Sequence, residues 1–166
     1  MPKHEEHPKT NAMRALDQRH IPYTPYFYSD TIHSATEVAQ LLGVDAGHVF
    51  KTLVAQADDG RNLLIVTPGD RELDLRLVAR GVGAKAVRMA LQREAERLTG
   101  LKVGGISPLA LLGKRFEVYI DAPGATLDEL YINGGQRGVN VKLRVADLLA
   151  VTGARVIEAT RAPDAG

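Results

Sequence analysis

Three short stretches hold the residues that could do chemistry. The first is Val103-Gly104-Gly105-Ile106-Ser107-Pro108. Adjacent glycines carry no side chains, so a ligand can come close to their backbone N–H groups. Pro108 fixes its own φ and pushes Ser107 towards an extended conformation. The expectation is a stiff loop whose amides serve one anionic or carbonyl oxygen; a plain tight turn between strands is the alternative. The second stretch is Val49-Phe50-Lys51-Thr52-Leu53. Lys51 opens an apolar strand and shares a face with Leu53 and Ala55. If that face is inward, its ammonium enters a pocket, where it could hold a phosphate or polarise a carbonyl. Otherwise it is an edge lysine with its head in water. The third is Asn133-Gly134-Gly135-Gln136-Arg137-Gly138. It is either a glycine-rich hairpin turn or a second wall, with Asn133 pointing inward and Arg137 offered to phosphate.

Other chemistries find little support. The sequence has no cysteine, which excludes disulfides, thiolate nucleophiles and Cys-ligated metals and fits a reducing cytoplasm. His4, His7, His20, His33 and His48 form no HExxH or other zinc-ligand pattern, so neither a metal nor a cofactor is expected. A Ser-His-Asp triad can be drawn from distant residues, but no GxSxG elbow is present. Twenty-one basic against twenty acidic residues leave a formal charge of +1, so nucleic-acid contact would need a local basic patch. The N-terminus lacks the apolar core of a signal peptide, and no apolar run approaches the ~20 residues that span a bilayer. The expected class is a soluble cytoplasmic protein.

These stretches need a scaffold, and 166 residues suffice for one domain with a real core. Residues 1–9 read as a flexible tail. Thr10 caps a helix over Asn11–Arg19, and the prolines at 22 and 25 make Tyr23–Tyr28 an edge or irregular strand. Ser34 and Glu37 form a capping box for a helix that Gly43 ends. Asp45 caps a short turn into a strand at Phe50–Ala57, which turns at Asp58-Asp59-Gly60-Arg61 and returns as Leu63–Thr67. Asp74 caps a helix ending near Gly81. A strand at Ala84–Met89, a helix at Gln92–Leu98 and a strand at Phe116–Asp121 follow. Leu130–Asn133 and Val139–Leu143 form a hairpin, then come a helix at Val145–Val151 and a strand at Arg155–Ile157. The last residues, 159–166, read as a fraying tail. Short hairpins interrupted by short helices predict an α+β domain over residues 10–158 with a mixed or curled sheet.

Together, and in order, these segments resemble the YbaK family, free-standing relatives of the editing domain of bacterial prolyl-tRNA synthetases. The resemblance rests on Val49–Leu53, Leu73-Asp74-Leu75 with Val78-Ala79, Gly83-Ala84-Lys85, Thr99-Gly100, Val103–Pro108, Ile120-Asp121-Ala122-Pro123 and Gly134-Gly135-Gln136-Arg137-Gly138. It covers the chain from the first helix to about residue 158, closest to the Cys-tRNA(Pro) deacylase branch. It implies a mixed, barrel-like sheet and hydrolysis of the ester joining a wrong amino acid to tRNA. Lys51 would lie near the tRNA 3′ end, and Gly104, Gly105, Ile106 and Ser107, closed by Pro108, would receive the aminoacyl carbonyl. Tyr28 would be a pocket tyrosine. Thr52, Asn133, Gly134, Gly135, Arg137 and Asn140 complete the expected substrate-binding set. The resemblance also implies that the substrate's own thiol is the nucleophile. Asn133, Gln136 and Asn140 stand where well-known members have Ser, Lys and Asp, which bears on amino-acid choice.

The leading expectation is a trans-editing deacylase of Cys-tRNA(Pro), with Cys-tRNA(Cys) a further substrate. A deacylase for another small amino acid, such as alanine, and a non-catalytic module binding aminoacyl-tRNA or a synthetase are the alternatives. An intact Lys51 and glycine loop favour an enzyme. Near-neutral charge argues against tight autonomous tRNA binding, because phosphate contacts drive such affinity. A prolyl-tRNA synthetase that presents the tRNA is therefore an expected partner.

Overall fold

In the computed structural model, strand β2 (Val49–Ala57) is the element on which the site is built. The structure describes residues 7–32 and 34–163. Residues 1–6 and 164–166, from the two expected tails, and His33 lie outside the described residues. The chain enters β2 from a short turn that Asp45 caps by accepting the Gly47 N–H. It returns after the Asp58–Gly60 turn as β3 (Asn62–Pro68), antiparallel to β2 from Phe50↔Pro68 to Gln56↔Asn62. Leu63, Leu64, Ile65 and Val66 of β3 are all buried, as an unbroken aliphatic run requires at the centre of a sheet.

The other strands are β1 (Thr24–Phe27), β4 (Glu72–Leu73), β5 (Val87–Met89), β6 (Glu117–Asp121), β7 (Glu129–Asn133), β8 (Val139–Arg144), β9 (Arg155–Ile157) and β10 (Thr160–Arg161). The main sheet runs β1-β8-β7-β2-β3-β6-β9. It is mixed: β2–β7, β3–β6 and β6–β9 are parallel, while β1–β8, β7–β8 and β2–β3 are antiparallel. One edge of β2 is occupied by β3. The other is shared, with β7 pairing at Val49 and Phe50 and β5 pairing at Ala55–Ala57. Between them, among the described residues, the edge at Lys51–Leu53 faces no strand.

Helices α1 (Asn11–Gln18), α2 (Ala35–Leu42), α3 (Leu75–Val82), α4 (Gln92–Thr99), α5 (Ala122–Ala125) and α6 (Val145–Thr152) cover the sheet. Thr10 and Asp74 cap α1 and α3 as expected. At α2 Ser34 accepts the Glu37 N–H, and the Glu37 carboxylate takes the Ser34 hydroxyl instead of reaching back to a backbone N–H. Met13 and Leu16 of α1, with Leu148 of α6, bury against Phe50, Val66, Ile120, Ile132 and Val141. Val78, Ala79 and Val82 of α3 cover Ala55, Leu63, Ile65 and Tyr119 on another part of the sheet. Each fully buried Val, Leu, Ile, Phe or Met among these contributes about 1.5–3 kcal/mol.

Three boundaries differ from expectation. Helix α3 continues to Val82 and ends on Gly83, because Gly81 lies inside it where a Cβ would meet Ile157 Cβ at 2.8 Å. The strand expected at Ala84–Met89 is confined to Val87–Met89. Order also continues past residue 158, since β10 pairs with β4 and Ala159 and Thr160 are buried. The cause is Asp121, whose buried carboxylate accepts the Ala159 N–H at 2.8 Å and the Thr160 hydroxyl at 2.5 Å. At the other end His7 stacks on Phe27 and Lys9 pairs with Asp17, so the chain is held before the first helix begins.

Candidate active site

A cavity of about 140 Å³ opens where the edge of β2 faces no strand. Lys51, Thr52 and Leu53 supply one wall, and Val103, Gly104 and Ile106 the facing loop. Tyr28, Asn133 and Asn140 come from the β1, β7 and β8 side, and Ala35 and Val38 from α2. Of the residues expected from sequence, the structure therefore brings Tyr28, Lys51, Thr52, Gly104, Ile106, Asn133 and Asn140 to one cavity. Gly105, Ser107, Pro108, Gly134, Gly135 and Arg137 do not line it. They build the two loops that close it.

The loops are fastened to each other. Asn133 Nδ2 donates to Gly104 C=O at 2.7 Å and to Gln136 C=O at 3.3 Å, while its Oδ1 accepts the N–H groups of Gly135 and Gln136 at 2.7 and 3.1 Å. Its amide is thus spent on the fold of the site. A Cβ on Gly105 would meet Arg137 N at 2.8 Å and Gln136 C at 3.0 Å. Glycine is needed there for backbone to lie against backbone, not for ligand approach. The Gly105 N–H is likewise occupied, donating to Lys102 C=O at 2.7 Å. Ser107 is fully buried and its hydroxyl accepts the Leu109 N–H, capping the single turn Pro108–Ala110. Gly138 holds the pocket tyrosine in place: its C=O accepts the Tyr28 N–H at 2.9 Å, and a Cβ would strike Tyr28 O at 2.6 Å.

What remains unspent is a defined set. Among the described residues the N–H groups of Gly104 and Ile106 have no acceptor, and half-buried Lys51 makes no ion pair. Thr52 Oγ1 and Asn140 Oδ1 are buried without a hydrogen-bond partner among the described residues, as is Thr67 Oγ1 on the strand beside Lys51. A buried acceptor left unsatisfied costs about 1–3 kcal/mol, which a bound donor would recover. Burial raises the Tyr28 hydroxyl above its ordinary pKa, opposed by the neighbouring Asn140 amide, so the phenol is neutral at physiological pH. Among the described residues no three His, Asp or Glu side chains gather at metal-binding distance. The residues that line the cavity thus carry one cation, two amide N–H groups without an acceptor and uncharged acceptors in a mostly apolar setting, a set suited to holding a small polar molecule whose carbonyl develops negative charge.

The sequence reading missed Ala35 and Val38. They lie one helical turn apart on the face of α2 turned to β2, a spacing visible in the sequence but not distinguishable there from ordinary core packing.

Known proteins resemble the chain along most of its length. Residues 29–151 match the family described as the aminoacyl-tRNA editing domain. EbsC of Enterococcus faecalis, inferred to be a Cys-tRNA(Pro)/Cys-tRNA(Cys) deacylase, is 34% identical over 162 residues, covering 96% of this chain and 98% of its own. A proline–tRNA ligase of Caldicellulosiruptor saccharolyticus is 26% identical over 115 residues, 69% of this chain but 19% of that enzyme. Among solved structures, an inferred trans-editing enzyme for prolyl tRNA synthetase superposes with a TM-score of 0.79 at 28% identity, over 93% of this chain and 99% of that one. The hypothetical protein APE2540 does so with a TM-score of 0.84 at 26% identity, over 92% and 100%. The family match over residues 29–151 and the likeness to EbsC along nearly the whole chain show that the protein belongs to the aminoacyl-tRNA editing domain family and is an aminoacyl-tRNA deacylase.

Proposed function

We propose that the protein removes cysteine from tRNA(Pro) in trans and that the cysteine's own thiol is the nucleophile. The observation that carries this is the unspent set in the cavity, which holds a cation and backbone donors but, among the described residues, no carboxylate or imidazole to activate the Thr52 or Tyr28 hydroxyl as a nucleophile. The thiol sulfur bonds to the ester carbonyl carbon and the bond from that carbon to the tRNA 3′ oxygen breaks. The thiol proton passes through solvent to the departing oxygen. A four-membered thiolactone results, and water then opens it to free cysteine. Ring strain makes the first step costly, so the protein contributes by orientation and charge. The apolar wall of Val49, Leu53 and Val38 folds the side chain back over the carbonyl. The Gly104 and Ile106 amides stabilise the developing oxyanion, and Lys51 anchors a phosphate of the 3′ end. Thr52 Oγ1 and Asn140 Oδ1 accept from the substrate amine.

Selectivity then comes from chemistry more than size, because one small side chain is hard to tell from another by fit alone. A hydroxyl is a poor nucleophile at neutral pH and a methyl is none. The rival reading, an activated water acting on an alanyl ester, would need a side chain to hold that water. Asn133, the inward-facing amide of the cavity wall, has both amide atoms engaged within the loops. The test charges one tRNA(Pro) with cysteine, serine or alanine and compares single-turnover release. Fast release of cysteine alone is expected; comparable release of alanine would refute thiol assistance. Such a reaction belongs where translation occurs, in the cytoplasm. With a formal charge of only +1, a synthetase that hands over the tRNA is a fitting partner.

A further inference from the structure

The loop that faces Lys51 is held by contacts the reaction above does not itself use. Its turn closes with Gly105 N–H on Lys102 C=O at 2.7 Å, and Gly104 has φ 92°. A closed turn with positive φ at its third residue but not at its second, as here, is type II, and it differs from type I in the orientation of its central peptide. Here the central peptide is Val103–Gly104. In a trans peptide the C=O and the following N–H point in opposite directions, so each plane can be traced to its anchors. The Lys102–Val103 plane is fixed at both ends: its C=O accepts from Gly105 and its N–H donates to Glu96 Oε2 at 3.0 Å. The Gly104–Gly105 plane is fixed at both ends by Asn133 and Lys102. The central plane is fixed at one end only, where Arg137 Nε donates to Val103 C=O at 2.7 Å. Its other end is the Gly104 N–H, which faces no acceptor among the described residues and belongs to a residue of the cavity wall.

We infer that Arg137 and Glu96 are positioning residues of the oxyanion site: they clamp Val103 from both sides and so keep the Gly104 N–H aimed at the substrate carbonyl. The catalytic half of this inference rests on the deacylase reading. Glycine at position 104 tolerates either orientation of the central plane, so without Arg137 the donor can turn away. The Glu96 carboxyl is held below its ordinary pKa, first by the Val103 N–H and, against burial, also by Gln92, Lys102 and Arg137. It is therefore ionised and accepting at neutral pH. The sequence reading of Arg137 as a phosphate ligand makes a different kinetic prediction.

The test is single-turnover deacylation of Cys-tRNA(Pro) across tRNA-protein ratios and salt concentrations. Arg137→Ala should lower the maximal rate by roughly 10-fold or more, up to the 10²–10³ that complete loss of an oxyanion donor costs. Half-saturation and the slope of log affinity against log salt should stay as in the wild type. Arg137→Lys, which keeps a donor, should recover part of the rate. Glu96→Gln keeps an acceptor and should remain near wild type, whereas Glu96→Ala should not. An Arg137→Ala protein with an intact maximal rate, weaker half-saturation and a flatter salt dependence would make Arg137 a phosphate ligand and overturn the clamp. Amide exchange on the substrate-free protein decides the structural half independently. Val103 should exchange faster in Glu96→Ala, and the Gly104 amide resonance should move in Arg137→Ala. Unchanged Val103 and Gly104 signals in these variants would refute the clamp, even if the wild type proved inactive on Cys-tRNA(Pro) and only the functional reading had failed.

Discussion

Replacing Gly105 by alanine tests how the two loops make the site. The added Cβ would lie 2.8 Å from Arg137 N and 3.0 and 3.2 Å from Gln136 C and Cα, all backbone atoms that cannot swing aside. Overpacking of this kind costs about 1–3 kcal/mol. Moving the loops apart relieves it only by stretching the bonds from Asn133 to Gly104 C=O and from Arg137 to Val103 C=O. Those are worth about 1 kcal/mol for a neutral pair and about 1.5–3 with a charged donor, so moving the loops apart, which gives up both, is no cheaper than the strain. The usual gain of about 0.4–1 kcal/mol from stiffening the unfolded chain offsets part of the loss but does not reverse it. At roughly 2–4 °C per kcal/mol for a chain of this size, the melting temperature should fall by a few degrees and the protein should stay folded. Deacylation should fall much further, towards the 10²–10³ of a misplaced oxyanion donor. Gly47→Ala is the control, since the atoms nearest its Cβ belong to the movable Asp70 carboxylate, the first at 3.1 Å. Thermal melts and single-turnover rates of both variants decide the matter. A Gly105→Ala protein with the stability and rate of the wild type would show that the loops are not in backbone contact and that the argument is wrong.

Lys51→Ala should leave the melting temperature within a few degrees of wild type, because the side chain makes no ion pair among the described residues. Its deacylation should fall at least tenfold and lose part of its salt dependence; near-normal turnover of the folded variant would remove Lys51 from the site. Asn133→Ala should lose both stability and activity, since one side chain makes four hydrogen bonds across two loops. With about 1 kcal/mol per bond and partial replacement by water, a loss of about 2–4 kcal/mol should appear in denaturant melts. A stable but inactive Asn133→Ala would instead place the amide in the chemistry.

Local signals made much of the scaffold legible. The β2–β3 and β7–β8 hairpins lie either side of turns whose residues announce them, and Thr10, Ser34 and Asp74 mark helix starts because capping is decided within four residues. The parallel pairs could not be read this way. β2–β7 and β3–β6 join segments far apart in the chain, and no local pattern specifies the partner. The short β4–β10 pair escaped for the same reason: it depends on the Asp121 carboxylate reaching Ala159 and Thr160. In the site, Lys51 and the glycine loop stood out by residue type. The role of Gly105 did not, because the atoms that demand a glycine there belong to Gln136 and Arg137, and only the folded chain brings them near. Asn133 was read as pointing inward. It does line the cavity, yet its polar atoms turn to the loops.

The narrow seam between β2 and β7 has a consequence for how the molecule assembles. Only Val49↔Tyr131 and Phe50↔Ile132 pair across it, and each side belongs to a hairpin that can form from nearby residues. Closing the seam means closing a loop of some eighty residues, an entropic cost met only when the long-range contacts form. The cavity lies directly beyond the seam, so it cannot exist in a chain that has folded one half alone. Catalytic competence should therefore be a late event in refolding, trailing the recovery of secondary structure, and truncated or half-folded chains should be silent and not weakly active.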